Sequence, residues 1–323
     1  MKIRIDDKEM TVIEGETILE TARRHGMRVP SMCYAHGRNH VAGCMVCAMK
    51  NTANGQMITS CSTMPVDGMC LESETDEVRA KRALALELLL SDHRADCEAP
   101  CTLVCPKGLD IELFLQAYDR NDLAQARAIL ASVFTGLPST GCEDCKAPCE
   151  KVCRRGTVDR NVPIRKLIAE VASMEDLPEV TPVKSIARTG NDVFYSKLGR
   201  FTPEEKARIA GEKATASTCL HCACSGRLGC RLRTFATQYG IRRPRYDMSS
   251  ALPVKTEIHV KDRLWFEPAK CIRCGLCVYN TENGFTFYGR GFDMKVVIPD
   301  ANRNNVDETV AGLCPTGALH LRK

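Results

Sequence analysis

Twenty cysteines stand in this chain of 323 residues, and all but Cys70 fall into four spaced groups. That spacing constrains the fold more than any helix or strand pattern, because thiols in groups must either pair or converge on something. The stretch "LLLSDHRADCEAPCTLVCPKGLDI" (88–111) shows the pattern, with His93, Cys97, Cys101 and Cys105 at intervals of four. Four residues is close to one helical turn, which would line the thiols along one face. Yet Pro100 and Pro106 stand beside two of those cysteines and oppose a continuous helix. Thiols in a Pro-broken segment suit wrapping a metal group better than filling a core.

Composition narrows what that group is. Aromatics are 5% of the chain and there is one Trp, a thin supply for a core of this size. A disulfide framework fits poorly, since such frameworks are usually small and secreted, and "MKIRIDDKEM" lacks the apolar core of a signal peptide. The longest apolar run, "ALALELLL", is short and carries Glu87, so no membrane span is expected. The net charge of +5 comes without a dense basic block or an aromatic-rich strip, so a nucleic-acid partner is not expected. Metal remains as the reason for so many thiols, in a cytoplasmic setting that keeps them reduced.

The first group, Cys33, Cys44, Cys47 and Cys61, lies where local structure is legible. Residues 2–5 alternate like a strand, "DDK" supplies a turn, and Met10–Ile13 makes a second short strand. Thr17 can cap a helix over "ILETARRH" that Gly26 ends, and Asn54-Gly55 marks a hairpin. These elements suggest a β-grasp arrangement. "AGCMVCAM" has small residues that let backbone close around a cluster and aim N–H groups at sulfur. Zinc sites usually use two close Cys pairs, whereas here one pair is joined by two distant cysteines. The "C…GCMVC…C" spacing resembles the N-terminal [2Fe–2S] domain of complex I's large iron–sulfur subunit and the electron-input domains of NAD-linked hydrogenases. It differs from the plant-type ferredoxin spacing. The resemblance implies one [2Fe–2S] cluster on the four cysteines and leaves Cys70, in "VDGMC", as a small buried hydrophobe.

A helix is expected over "DEVRAKRALALELLLSDH", leading into the second group. "LLLSDHRADC" again resembles complex I, where a histidine and three cysteines hold a [4Fe–4S] cluster. From Cys101, "APCTLVCPKGLDI" and later "APCEKVCRRG" are similar to the two-cluster helical domain of the glutamate synthase small subunit and of dihydropyrimidine dehydrogenase. That resemblance assigns Cys97, Cys101 and Cys153 to one [4Fe–4S] cluster and Cys105, Cys145 and Cys149 to the other. His93 would complete the first set, or else be a solvent-exposed helix-end histidine. Cys142 would complete the second, because Ile168 stands near the position of the dehydrogenase branch's ligating glutamine.

Residues 176–200 read as a linker, and Thr202-Pro203-Glu204-Glu205 as a capping box opening a short helix. The third group, Cys219, Cys222, Cys224 and Cys230, is expected to close on either a further [4Fe–4S] cluster or Zn²⁺, with His221 pointing outward or competing as a ligand. In the fourth, Cys271, Cys274 and Cys277 with the remote Cys314-Pro315 form the bacterial ferredoxin arrangement for one [4Fe–4S] cluster. Asn280 and Thr281 replace the thiol that two-cluster ferredoxins carry after the triple.

The fold expected is α+β and multi-domain: a β-grasp [2Fe–2S] ferredoxin domain over 1–75, a helical domain with two [4Fe–4S] clusters over 76–175, a linker with a four-cysteine site over 176–250, and a ferredoxin-like [4Fe–4S] domain over 251–323. No G-x-G-x-x-G follows a strand and no G-x-x-x-x-G-K-[ST] occurs, so no nucleotide site is expected. The function implied is an electron-transfer subunit, not catalytic alone, of an NAD(P)H-linked oxidoreductase. Its partners would be a flavin subunit and a hydrogenase, a formate dehydrogenase or a ferredoxin-linked module. A zinc-rich scaffold without redox role and a catalytic subunit with a cryptic flavin site stand as alternatives.

Overall fold

The computed structural model describes residues 1–93, 97–183, 201, 203–211, 216–224, 229–241, 244–246 and 257–322. These fall into two compact units. The first takes the described residues of 1–94 and 225–323, and the second those of 95–190 and 194–224, so in sequence the second unit is an insertion into the first. The N-terminal and C-terminal cysteine groups, expected on separate domains, belong to one unit.

The first unit begins with a hairpin of β1 (Lys2–Ile5) and β2 (Lys8–Thr11). Ile3 and Ile5 face inward while Lys2 and Arg4 face out, the two-residue alternation of a strand with one wet face. Each such isoleucine contributes on the order of 1.5–3 kcal/mol by leaving water. Helix α1 (Ile18–Arg24) starts as its sequence predicts: the Thr17 hydroxyl accepts the Glu20 N–H at 3.3 Å, and the Glu20 carboxylate accepts the Thr17 N–H at 2.8 Å. Strands β3 (Ala48–Asn51) and β4 (Met57–Thr59) flank Asn54-Gly55, and Gly55 takes the φ of +71° that the turn requires. A further strand, β5 (Cys70–Glu72), completes a sheet ordered β2-β1-β5-β3-β4, in which β1 and β5 run parallel.

That short strand corrects the reading of Cys70. Leu71 is the inward residue, 2% exposed, so the alternation turns Cys70 and Glu72 outward. Cys70 is half-buried, and its sulfur accepts a hydrogen bond from the Arg4 guanidinium at 3.3 Å. Helix α2 (Asp76–Asp92) follows, capped by Thr75, with Val78, Arg82, Leu86 and Leu90 buried at every fourth position.

The second unit is helical: α3 (Pro100–Val104), α4 (Ile111–Asp119), α5 (Leu123–Ala131), α6 (Pro148–Lys151), α7 (Ile164–Ala172) and α8 (Pro203–Gly211). Phe114, Leu115, Ile129, Leu130, Ile164 and Val171 build its core, with several cysteines at the margin. Pro100 and Pro148 each occupy the first helical turn, where a missing N–H costs nothing. The prolines therefore start helices between the thiols. Residues 176–183 contain no helix or strand. The rest of the expected linker and Thr202 of the expected capping box lie outside the described residues.

The chain re-enters the first unit with α9 (Arg231–Gln238). Strands β6 (Ile258–Lys261) and β7 (Leu264–Phe266), the short helix α10 (Leu276–Tyr279), strands β8 (Thr286–Tyr288) and β9 (Lys295–Val297), and β10 (Leu319–Leu321) follow. β10, β7 and β6 form a three-stranded sheet and β8 pairs with β9. Phe266, Phe285, Val296 and Leu319 fill this part's core. No helix among the described residues is long and apolar enough to cross a membrane.

Candidate metal centres

All 20 cysteines are free thiols. Cys33, Cys44, Cys47 and Cys61 meet at one end of the five-stranded sheet, from the loop after α1, the loop before β3 and the residues after β4. Cys33 lies beside Cys44 and Cys61, and Cys47 beside Cys61, close enough for their thiols to shift one another. This closeness pushes the Cys33 and Cys47 thiols down and those of Cys44 and Cys61 up. Backbone N–H groups of Cys44, Val46 and Cys61 lie on the side of the Cys33, Cys44 and Cys47 sulfurs respectively, where they favour the thiolates. This tight wrap needs left-handed backbone at Ala42 (φ 54°) and Met45 (φ 57°), an uncommon state for residues with a Cβ. Ser60 fastens the wrap, its hydroxyl donating to the Cys47 carbonyl at 2.7 Å.

The C-terminal group forms a second thiol set in the same unit. Cys271 and Cys274 lie on the loop into α10, Cys277 lies in α10 itself, and Cys314 comes from the segment before β10. Burial pushes the Cys271 thiol up to about 12, and raises Cys274 and Cys277 too. The Arg273 N–H points at the Cys271 sulfur and the Leu319 N–H at Cys314, both at 3.4 Å. The two loops of this unit interlock. The Asn39 N–H donates to the Asn280 side-chain oxygen at 3.1 Å, and the Asn280 amide donates to the Asn39 carbonyl at 2.8 Å. A Cβ on Gly275, whose φ is +77°, would come within 2.7 Å of Val41. Arg231 ties the flanks together: its N–H donates to Pro315 O at 2.7 Å, and its guanidinium to Tyr34 O at 3.2 Å and Leu313 O at 3.4 Å. The Cys33 and Cys274 thiols lie near enough to interact electrostatically. Asn280 stands where the sequence lacks an expected thiol. That substitution was visible in the sequence, whereas its role as the fastener, and that of Arg231, was not.

Two cavities lie in the second unit. Cys105, Cys142, Cys145 and Cys149 line the first, together with Lys107, Arg165 and Ile168. Cys142 and Ile168, the two positions weighed for the fourth ligand, thus share one cavity. Burial pushes the Cys149 thiol up to about 11. The second cavity gathers Cys101, Cys153, Cys219 and Cys222 beside Arg154, Arg155, Leu115 and Val162. This grouping differs from the expected one. Cys219 and Cys222 line this cavity with Cys101 and Cys153, because residues 216–224 fold back onto α4. The Cys224 N–H donates to the Cys97 carbonyl at 3.3 Å. His93 caps the C-terminus of α2 in the first unit, 3% exposed, which is not the solvent-facing alternative; Cys230 caps α9 in that unit.

His221 neither points outward nor turns to the cavity. Its Nε2 lies 2.9 Å from Asp119 and its Nδ1 3.5 Å from Glu112. Burial works against a charged ring, but the bonds to Asp119, Cys219 and Glu112 outweigh it and raise the imidazole to about 11. Among the described residues no three His, Cys, Asp or Glu side chains are drawn together to suit a single metal ion; the thiols of the second unit line wider spaces.

Fold and matched residues define the class. Residues 1–76 match the family model described as a 2Fe-2S iron-sulfur cluster binding domain, so an iron–sulfur domain of this kind stands at the N-terminus of a mixed α and β chain. Relatives agree: over 113 residues the chain is 30% identical to a subunit of the NADH-quinone oxidoreductase of Rhizobium meliloti, covering 35% of this chain and 13% of that protein. It is 36% identical over 118 residues to the NADP-reducing hydrogenase subunit HndD of Solidesulfovibrio fructosivorans, covering 35% of this chain and 19% of that protein. The chain therefore spans under a fifth of the length of these relatives. A chain of an NAD+-reducing [NiFe]-hydrogenase crystal structure shares the fold at a TM-score of 0.52 and 15% identity, over 99% of this chain and 87% of that one. By name these relatives are NADH- and NADP-linked redox proteins, the kind of protein the N-terminal resemblance implied.

Proposed function

We propose that this chain is an electron-transfer subunit of a multi-subunit NAD(P)H-linked oxidoreductase, not catalytic alone. Cys33, Cys44, Cys47 and Cys61 hold a [2Fe–2S] cluster; Cys271, Cys274, Cys277 and Cys314 hold a [4Fe–4S] cluster, and so do Cys105, Cys142, Cys145 and Cys149. Iron–sulfur clusters at such thiols take up and release single electrons. The four-domain organisation expected from the sequence is carried with this reading, the first and last cysteine groups being treated as one docked pair.

One observation carries the reading: the loop bearing Cys44 interlocks with the loop bearing Cys274 through Asn39 and Asn280. A scaffold that only bound zinc would have no use for thiol sets held at close quarters. Burial raises the Cys149, Cys271, Cys274 and Cys277 thiols, and backbone N–H groups point at the Cys271 and Cys314 sulfurs. Such groups and such burial tune potential. The proposed donor is a flavin subunit oxidising NAD(P)H, docked at the N-terminal domain. The proposed acceptor is a hydrogenase, a formate dehydrogenase or a ferredoxin-linked module, in the cytoplasm.

Anaerobic purification tests this. The three thiol sets alone call for about ten iron atoms per chain, two plus four plus four, and a brown protein with [2Fe–2S] and [4Fe–4S] EPR signals on reduction. Colourless protein carrying zinc overturns the proposal, and tightly bound flavin would move it to a catalytic subunit.

A further inference from the structure

We infer that Cys101, Cys153, Cys219 and Cys222 together hold one [4Fe–4S] cluster, so that Cys219 and Cys222 do not belong to a separate site with Cys224 and Cys230. The inference rests on the reading above, that thiol sets in this chain bind iron–sulfur clusters, and adds a ligand set which the sequence distributes differently.

Three separate segments supply the four thiols: Cys101 from α3, Cys153 from just past α6, and Cys219 with Cys222 from the returning loop. All four line one cavity whose remaining wall is largely apolar, with Leu115, Val162 and Ile164 in it. An all-sulfur donor set in an apolar wall is the environment that iron–sulfur clusters occupy. Cys101 is buried, with Cys219, Cys222 and Cys153 close to it in the same cavity. Arg154 and Arg155, both buried, also line it, and Arg155 is fixed by a two-bond pair with Asp159 at 2.6 Å.

A second, independent observation concerns the returning loop. Thr218 (φ 61°) and His221 (φ 46°) both hold left-handed backbone, which costs free energy in residues with a Cβ. Acidic side chains on α4 hold that shape. Asp119 accepts the Ser217 N–H at 2.8 Å, the Ser217 hydroxyl at 2.7 Å and a bond from His221 at 2.9 Å. Glu112, 1% exposed in its side chain, faces the other ring nitrogen at 3.5 Å. With His221 turned to α4, its neighbours Cys219 and Cys222 are presented to Cys101 and Cys153. Asp119 and Glu112 are thus positioning residues: both hold the loop, and Glu112 also lines the cavity beside the four thiols.

The test is an iron count on the full anaerobic chain, wild type minus variant, with the [2Fe–2S] EPR signal as the control for an intact fold. Cys101→Ser and Cys219→Ser should each remove about four iron atoms, and the double variant should still remove about four, because both residues serve one cluster. A double variant that loses about eight iron atoms, or four iron and one zinc, overturns the grouping. Should the serine variants lose their [2Fe–2S] signal as well, Cys153→Asp and Cys219→Asp keep a donor at each place. They should shift the same midpoint in a redox titration while Cys145→Asp shifts another. Shifts of two different midpoints by Cys153→Asp and Cys219→Asp also overturn it. A wild-type chain without iron refutes the underlying functional reading instead.

Discussion

Replacing Arg82 with Met should loosen the [2Fe–2S] domain by about 2–3 kcal/mol, and the structure shows where that figure comes from. Arg82 lies on α2 with its side chain fully buried. Its Nε donates to the Ala48 carbonyl at 2.9 Å, one residue beyond Cys47, and its Nη1 donates to the Tyr239 hydroxyl at 3.1 Å and to Glu74 at 3.0 Å. Glu74 is 54% exposed, so that ion pair is worth on the order of 0–1 kcal/mol. The larger loss is the Ala48 carbonyl, buried and left without this donor, at about 1–3 kcal/mol, with about 0.5–1.5 kcal/mol for the Tyr239 bond. Against these stands relief from burying a guanidinium, since an apolar replacement of a buried charge recovers part of its desolvation cost. With a urea dependence of about 2 kcal/mol per molar, the midpoint should fall by roughly 1 M. The assay is urea titration of the anaerobic protein, following [2Fe–2S] absorption. Tyr239→Phe, which removes one bond and no charge, should shift the midpoint by less than half as much. A midpoint for Arg82→Met equal to or above wild type would show that relief of the buried charge outweighs the lost bonds, and would refute the reasoning.

Cys33→Ser, Cys44→Ser or Cys47→Ser should abolish the [2Fe–2S] EPR signal and block reduction by the proposed flavin donor; a retained low-temperature spectrum defeats that ligand set. Cys142→Ala should cost the cluster at Cys105, Cys145 and Cys149, and Ile168→Gln added to it should restore iron, since both positions line one cavity; absence of rescue counts against Ile168 reaching that cluster. Asn280→Ala removes two bonds to Asn39, each worth about 0.5–1.5 kcal/mol, and should slow reduction of the C-terminal cluster while leaving both EPR signals in place, as rapid-freeze kinetics would register. Glu16 is held at about 2 by its hydrogen bond from Arg24, below the ordinary 4.5. Its contribution to stability is therefore present above about pH 4.5 and lost as the pH falls toward 2. Glu16→Gln should flatten the acid limb of the urea midpoint between pH 5 and pH 3, and an unchanged limb would show that this pair contributes nothing measurable.

Much of the local structure was legible because short-range chemistry decides it. Thr17 and Glu20 specify their own capping box, Asn54-Gly55 specifies its turn, and the triple at Cys271, Cys274 and Cys277 can only wrap. That Cys33, Cys44, Cys47 and Cys61 meet was legible for the same reason, as their loops belong to one small sheet. What tertiary structure alone decided is which distant segments meet. Strand β5 has three residues, too few for a pattern, and exists because β1 and β3 lie on either side to accept its hydrogen bonds. Its register turned Cys70 outward. His221 looked like a ligand or a surface residue until α4 placed Asp119 and Glu112 beside it. Cys219 and Cys222 are near Cys224 and Cys230 along the chain, yet they line a cavity with the sequence-distant Cys101 and Cys153. Spacing in sequence states how a thiol group can close on itself; it carries no information on a partner delivered by a returning loop, because that depends on buried contacts made elsewhere in the fold.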